Sequence, residues 1–217
     1  MTTHGADLRA ALLDAALPHV PFEGWSEAVI LAAARDLEVA PALALDAFPD
    51  GPMDLVAAFA ERMDAAMLAR LAEADIGTLK IRARITLAVR TRLELLGPFR
   101  EAERRAASLG ALPHNAPRML ALGYRTVDAM WRAAGDRATD FNHYTKRGLL
   151  YLVYGATLAF WLQDDSPDQA RTWAFLDRRI ADVMRIEGAK GTVGRLAARL
   201  PSPVALLARL RYGSGKP

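Results

Sequence analysis

The sequence predicts an all-α protein, and three observations carry that prediction. Apolar residues recur at spacings of three and four rather than two, the period of a helix that buries one stripe. The 217-residue chain is 52% hydrophobic and rich in Ala, Leu and Arg. Pro and Gly gather at "LPHVPFEG", "FPDGP", "LGPF", "LGALPHNAP" and "DDSPD", and each cluster interrupts the periodic pattern where a helix should stop.

Taken in order, the pattern predicts helices over Asp7 to Leu17, Ser26 to Leu37, Ala40 to Ala47, Met53 to Ala74, Thr78 to Leu96, Phe99 to Leu109, Ala116 to Ala134, Asp140 to Gln163 and Pro167 to Glu187. At the last of these starts, Ser166 is expected as the N-cap, with Pro167 in the first helical position, Asp168 in the first turn and Gln169 closing a capping box. A cation site built from Asp164, Asp165 and Asp168 is the other reading of the same residues. Three regions follow from the helix order: an N-terminal region over residues 1–75, a helical body over 76–188 and a tail over 189–217.

The helix from Asp140 changes character along its length. It opens with polar aromatics and charge, then runs from Gly148 to Leu162 without a charged residue. That is about four turns, short of the ~20 apolar residues a membrane span needs. A helix apolar on all sides must be wrapped, by protein or by lipid held inside protein. Gly148, Leu152, Gly155, Ala159 and Leu162 fall near one stripe, with small residues that let a neighbouring helix or an acyl chain approach. A central core helix and a cavity-lining helix both satisfy the pattern.

The charge is unevenly placed. The net value is +3, yet Glu23 to Asp54 holds seven acids against Arg35 alone, and the thirty residues after Glu187 hold six bases and no acid. In the tail, Val193, Leu196 and Leu200 align opposite Arg195 and Arg199, and Val204, Leu207 and Leu210 align opposite Arg209. Pro201 and Pro203 divide it into two short amphipathic pieces. Such a tail suits an anionic membrane surface, and docking onto the core or swapping between copies are the other readings.

Several chemistries find no residues. There is no cysteine, so thiol nucleophiles, Cys-held zinc and redox pairs are excluded. His4, His19, His114 and His143 are scattered, none with a metal-binding partner at helical spacing. No phosphate loop, nucleophile elbow or dinucleotide fingerprint occurs. The chain is expected to be non-catalytic and to need no cofactor. The N-terminal residues lack the plan of an export signal, so the expected location is cytoplasmic.

The helix order at the N-terminus resembles the helix-turn-helix of the TetR regulators, whose third helix enters the major groove. Here the matching stretch is "VAPALALDAFPDGPMDL", with Phe48 in place but Asp50-Gly51 where those proteins carry a basic residue. A reader helix needs donors for phosphates and bases, so the module is read as vestigial, with no DNA partner expected. A TetR-type regulator with a small-molecule pocket is the alternative.

The stretch "AGDRATDFNHYTKRGLLYLVYGATLAFWLQDDSPDQARTWAFLDRRIADVM" and, upstream, "LKIRARITLAVRTRLELLGPFREAERRAASLGALPHNAP" resemble the ninth Coq protein family, TetR-like lipid-binding accessory proteins of ubiquinone biosynthesis. The resemblance implies a TetR-like helical bundle with a C-terminal amphipathic tail that touches the inner face of a membrane. It implies a bound phospholipid or isoprenoid quinone intermediate, with the stripe from Gly148 to Leu162 as candidate lipid contacts. It implies a homodimer, and docking to the demethoxyubiquinone hydroxylase through Asp140, Phe141, Asn142, His143, Tyr144, Lys146 and Arg147. The family usually has Trp where this chain has His143.

Overall fold

The computed structural model describes residues 3–136 and 141–199, with side chains at 5–136, 144–183 and 185. Among these the chain is helical, with no strand. The helices are α1 (Thr3–Ala16), α2 (Val20–Glu23), α3 (Glu27–Asp36), α4 (Pro41–Ala47), α5 (Pro52–Glu73), α6 (Ile81–Leu95), α7 (Arg100–Gly110), α8 (Ala116–Ala133), α9 (Phe141–Trp161) and α10 (Ala170–Arg199). Single 3₁₀ turns lie at Ile76–Thr78, Gly97–Phe99 and Pro167–Gln169. The chain forms two compact units, Met1–Leu176 and Asp177–Pro217.

In the first unit, α1, α3 and α4 pack together as the N-terminal module. Ser26 caps α3 by accepting from Val29 N at 3.3 Å, which satisfies one of the amide donors a helix start leaves open. Arg9 holds the far end of the module: its Nη1 donates to the Ala47 carbonyl at 2.7 Å, and its guanidinium lies 4.8 Å from the Phe48 ring centre. Phe48 is buried, so the aromatic that the sequence singles out closes the module rather than facing outward. Helix α2 lies inside the stretch expected as a break. Pro21 does not prevent it, because a proline in the first helical turn lacks only an N–H that would have no partner there.

The module is fastened to the body through aromatic packing. Trp25 donates from Nε1 to the Ala102 carbonyl of α7 at 2.8 Å, and its ring meets Phe59 of α5 at 5.4 Å, which in turn meets Phe99 edge-on at 5.7 Å. Helices α5, α6, α8 and α9 complete the body, where Leu93, Leu122, Val127, Met130, Val153 and Trp161 are buried.

The expected capping box at Ser166 does not form. Asp168 and Gln169 take φ of 52° and 56°, so the chain turns left-handed before α10 starts, and Gln169 Oε1 accepts from Trp161 Nε1 at 2.9 Å instead of reaching back. Asp164 does the capping. Its carboxylate accepts from Thr172 N at 2.9 Å, Thr172 Oγ1 at 2.6 Å and Ser166 N at 3.0 Å. Ser166 Oγ adds a bond from Arg171 N at 3.2 Å. Burial opposes ionisation of Asp164, but the bonds from Thr172 and Ser166 outweigh it and hold its carboxyl well below the usual range. Helix α10 then continues unbroken through position 188, where the sequence suggested that the body ends. Lone glycines such as Gly188 and Gly191 weaken a helix by only about 1 kcal/mol each relative to Ala.

Candidate functional site

A cavity of about 110 Å³ opens between five helices of the first unit. Its walls are apolar where α5 supplies Val56 and Phe59, α7 supplies Ala106 and α8 supplies Met119 and Leu122. Gly123 on α8 makes room for the Tyr151 ring of α9: a Cβ there would stand 2.6 Å from Tyr151 Cε2. One end of the cavity is polar, formed by Arg92 of α6, Glu103 of α7 and Tyr154 of α9.

These polar residues are buried: Arg92 is 2% exposed, Glu103 8% and Tyr154 6%. Arg92 Nε donates to Asp64 Oδ1 at 2.9 Å, and Asp64 Oδ2 also accepts from Thr126 Oγ1 at 2.9 Å. The Nη1 of the same guanidinium is buried and meets no hydrogen-bond partner among the described residues. Burial pushes the Glu103 carboxyl up, with Arg92 pulling it back. Burial likewise pushes up Asp64 and the Tyr154 phenol. The site is an apolar hollow with a closely charge-balanced polar end, which can hold a small amphiphilic group but contains no nucleophile poised by a base.

None of these polar residues stands out in the sequence, although helical periodicity marks them. Arg92 falls on the stripe of Ile85 and Val89, Glu103 on that of Phe99 and Ala106, and Asp64 on that of Met67 and Leu71. A charged residue where the period calls for an apolar one is the available signal.

The stripe on α9 lies elsewhere than the sequence suggested. Gly148, Leu152, Gly155 and Ala159 are exposed, Leu152 by 68%, and Leu162 is half-buried. A Cβ added at Gly148 or Gly155 would meet nothing. The helix is therefore not wrapped on all sides: its inner face carries Leu150, Val153, Tyr154, Thr157 and Trp161, all buried, and its outer face carries the small residues. Of the stripe, Gly155 alone is among the cavity-lining residues.

The Asp140 to Arg147 motif divides in the same way. Asp140 lies outside the described residues, and Phe141, Asn142 and His143 begin α9 with their side chains outside them. Tyr144 is 67% exposed. Arg147 is not on the surface that a partner would meet: at 1% exposure it donates from Nε to Asp128 Oδ1 at 2.5 Å and from Nη1 to Asp136 Oδ2 at 3.1 Å. Lys146 bonds Asp136 Oδ1 at 3.0 Å and lies 5.5 Å from the Trp131 ring centre. These two cations tie the start of α9 to the end of α8. On α4, which stands where a DNA-reading helix would, the exposed residues are Pro41, Ala42, Leu43 and Asp46, and none is a cation.

Val193, Arg195, Leu196 and Arg199 fall in the last turns of α10 with their side chains outside the described residues, and Leu200, Val204, Leu207, Arg209 and Leu210 lie beyond them. Among the described residues no helix is long and apolar enough to cross a membrane.

Residues 116–187 match the COQ9 family model. The chain is 37% identical over 186 residues to the human protein named "Ubiquinone biosynthesis protein COQ9, mitochondrial", a match that covers 82% of this chain and 58% of that protein. The protein of the same name from Drosophila melanogaster is 34% identical over 184 residues, covering 83% and 56%. The chain thus spans less than three fifths of the length of these relatives. Among solved structures, a TetR transcriptional regulator from Nitrosomonas europaea superposes with a TM-score of 0.65 at 25% identity, covering 81% of this chain and 97% of that one. The TetR-like all-α fold expected from the order of the helices is the fold observed.

Proposed function

Over the aligned region this chain belongs to the COQ9 family, and from that premise we propose that it is a non-catalytic lipid-binding accessory protein of ubiquinone biosynthesis. The observation that carries the reading is the cavity between α5, α6, α7, α8 and α9, apolar along its walls and polar at one end. At about 110 Å³ it admits at most one ring, since the apolar cavity that takes up benzene is ~150 Å³. An isoprenoid chain attached to that ring leaves past Gly155 and runs along the exposed face of α9, over Leu152 toward Gly148. The stripe read from the sequence then serves as a track outside the cavity.

Two surfaces supply the rest of the reading. The exposed Tyr144 at the start of α9 is the aromatic that docks the demethoxyubiquinone hydroxylase, with Lys146 beside it and Arg147 holding the helix from beneath. The basic tail rests on the cytoplasmic face of a membrane, and two copies pair as a homodimer. Native mass spectrometry of the purified chain, with extraction of whatever lipid it carries, tests the proposal. A co-purifying isoprenoid or phospholipid supports it, and a lipid-free protein that also ignores anionic liposomes sinks it.

The TetR structural neighbour favours a second reading, a transcription regulator. The exposed face of α4 weighs against it, with Asp46 and no cation to meet a phosphate. Salt-dependent binding to duplex DNA that disappears on deleting Ser26 to Phe48 would restore that reading.

A further inference from the structure

Glu103 lines the cavity from α7 and is only 8% exposed, yet its carboxyl makes no hydrogen bond among the described residues. Its oxygens are not closed off from water as Arg92 Nη1 is, and the open space beside this residue is the cavity. The charged and titratable groups around it are few. Helix α6 supplies Arg92, α5 supplies Asp64, and α9 supplies Tyr151 and Tyr154. The lining residues of α8, Met119, Leu122, Gly123 and Thr126, carry no titratable group, and α2, also packed on α7, carries only the exposed Glu23. Arg92 is already matched by Asp64, which accepts from its Nε and from Thr126 Oγ1. Glu103 is thus a buried acid with no counter-charge of its own and with water in the cavity as its remaining source of hydrogen bonds.

We propose that filling the cavity loads one proton onto Glu103, so that the chain takes up an apolar ligand at low pH and releases it as pH rises. The inference rests on the lipid-binding reading and deepens it, by naming what controls loading and release. An apolar ligand displaces the water that can solvate an ionised carboxylate, and a carboxylate left with neither water nor a donor strongly favours its neutral form. The proton comes from solvent and stays on the Glu103 carboxyl for as long as the cavity is filled. Burial already raises this carboxyl, with Arg92 opposing the rise and Asp64 adding to it, and the ligand pushes it further in the same direction. Asp64 does not take the proton instead, because the bonds it accepts from Arg92 and Thr126 favour its charged form. Burial pushes the Tyr151 and Tyr154 phenols up as well, so both stay neutral throughout. The sign follows by linkage. Affinity is full below the value at which Glu103 titrates in the empty protein, falls as pH rises through it, and levels off above the value in the filled protein.

The test titrates the delipidated full chain with benzene, a neutral probe that neither titrates nor hydrogen-bonds. Benzene should bind at least about tenfold more tightly at about pH 4.5 than at about pH 8.5. Calorimetry in two buffers of different ionisation heat should record proton uptake on binding within that range. Glu103→Gln, which keeps the shape but cannot titrate, should bind benzene equally at both pH values and take up no proton. Circular dichroism at both pH values establishes that parent and variant fold; if Glu103→Gln does not, Glu103→Met takes its place. Equal affinity of the parent at both pH values, tighter binding at the higher one, no proton uptake, no benzene binding at all, or a pH dependence that survives the substitution would each overturn the proposal. Lipid extraction from the same preparation separates the two readings. Lipid present alongside pH-indifferent benzene binding removes the proton linkage alone, and a lipid-free, liposome-indifferent chain that still takes up a proton with benzene removes the lipid-carrier reading alone.

Discussion

Arg147 reaches from α9 to Asp128 on α8 with 2.5 Å between Nε and Oδ1. The Arg147 side chain is 2% exposed and that of Asp128 18%, and Asp136 takes a second bond from the same guanidinium at 3.1 Å. Removing one member of a buried pair costs roughly 3–5 kcal/mol when the other charge is left uncompensated, but here Asp136 keeps Lys146 at 3.0 Å and Asp128 keeps Arg132 at 2.7 Å. Arg147→Met should therefore destabilise the chain by less, about 1–3 kcal/mol in urea unfolding. Tyr144→Ala, on an exposed side chain three residues earlier, should cost under ~1 kcal/mol while weakening hydroxylase capture in a pull-down. Equal losses of stability would assign Tyr144 to packing.

Two glycines on neighbouring helices make a graded prediction. At Gly110 an added Cβ would meet Met119 at its Cγ, 2.6 Å away, and at its Cβ, 3.1 Å away. The collision involves the root of the side chain, so α7 and α8 must separate, and Gly110→Ala should cost about 1–3 kcal/mol. At Gly123 the collision is with the outer edge of the Tyr151 ring, which can swing aside. Gly123→Ala should cost under ~1 kcal/mol while displacing a residue that lines the cavity. Denaturant titration ranks the two, and a larger loss at Gly123 would show that Tyr151 cannot move.

The contrast between these sites explains how far the sequence can be read. Helix positions follow from periodicity and from Pro and Gly, so the body helices up to α9 are legible to within a few residues, whereas α10 runs twelve residues past its expected end at Glu187; α2 is not legible, because Pro18 and Pro21 suggest only a loop. What periodicity does not reveal is which of two apolar faces meets protein. On α9 the large side chains Leu150, Val153 and Trp161 point inward while Leu152 stays exposed, and the stripe of small residues that suggests a lining is an outer surface. Arginine is usually a surface residue, and only the three-dimensional approach of Asp128 and Asp136 explains the burial of Arg147. The cavity's polar end is assembled from α6, α7 and α9, and no single segment announces it.

Glu103 should make stability depend on pH in a definite direction. Burial raises its carboxyl above 4.5, Arg92 opposes the rise and Asp64 adds to it. The folded state thus binds this proton more tightly than the unfolded chain does. The resulting stabilisation is full below about pH 4.5 and is lost as pH rises through the folded value. A glutamine amide in the same place does not titrate. The Glu103→Gln variant should gain on the parent as pH increases, in urea unfolding followed at about pH 4 and about pH 7. A constant difference at both values would mean that Glu103 ionises in the folded protein as readily as in the unfolded chain.

The tail gives the last prediction, because its charge separates membrane attraction from stability. Deleting the residues from Pro201 onward removes Arg209, Arg211 and Lys216 and no acid. Near an anionic surface each such cation contributes about 1 kcal/mol, so three together correspond to a loss of roughly 100-fold in vesicle affinity. The loss should be large on vesicles containing phosphatidylserine, small on purely zwitterionic ones, and reduced by added salt, which screens exposed charge over about 10 Å at 0.1 M. The thermal midpoint should stay within ~2 °C of the full chain, since a tail that works at a surface contributes little to the core. A fall of ~5 °C or more with vesicle binding intact would instead place the tail's leucines in the packing of the protein, leaving its arginines as an ordinary solvated end.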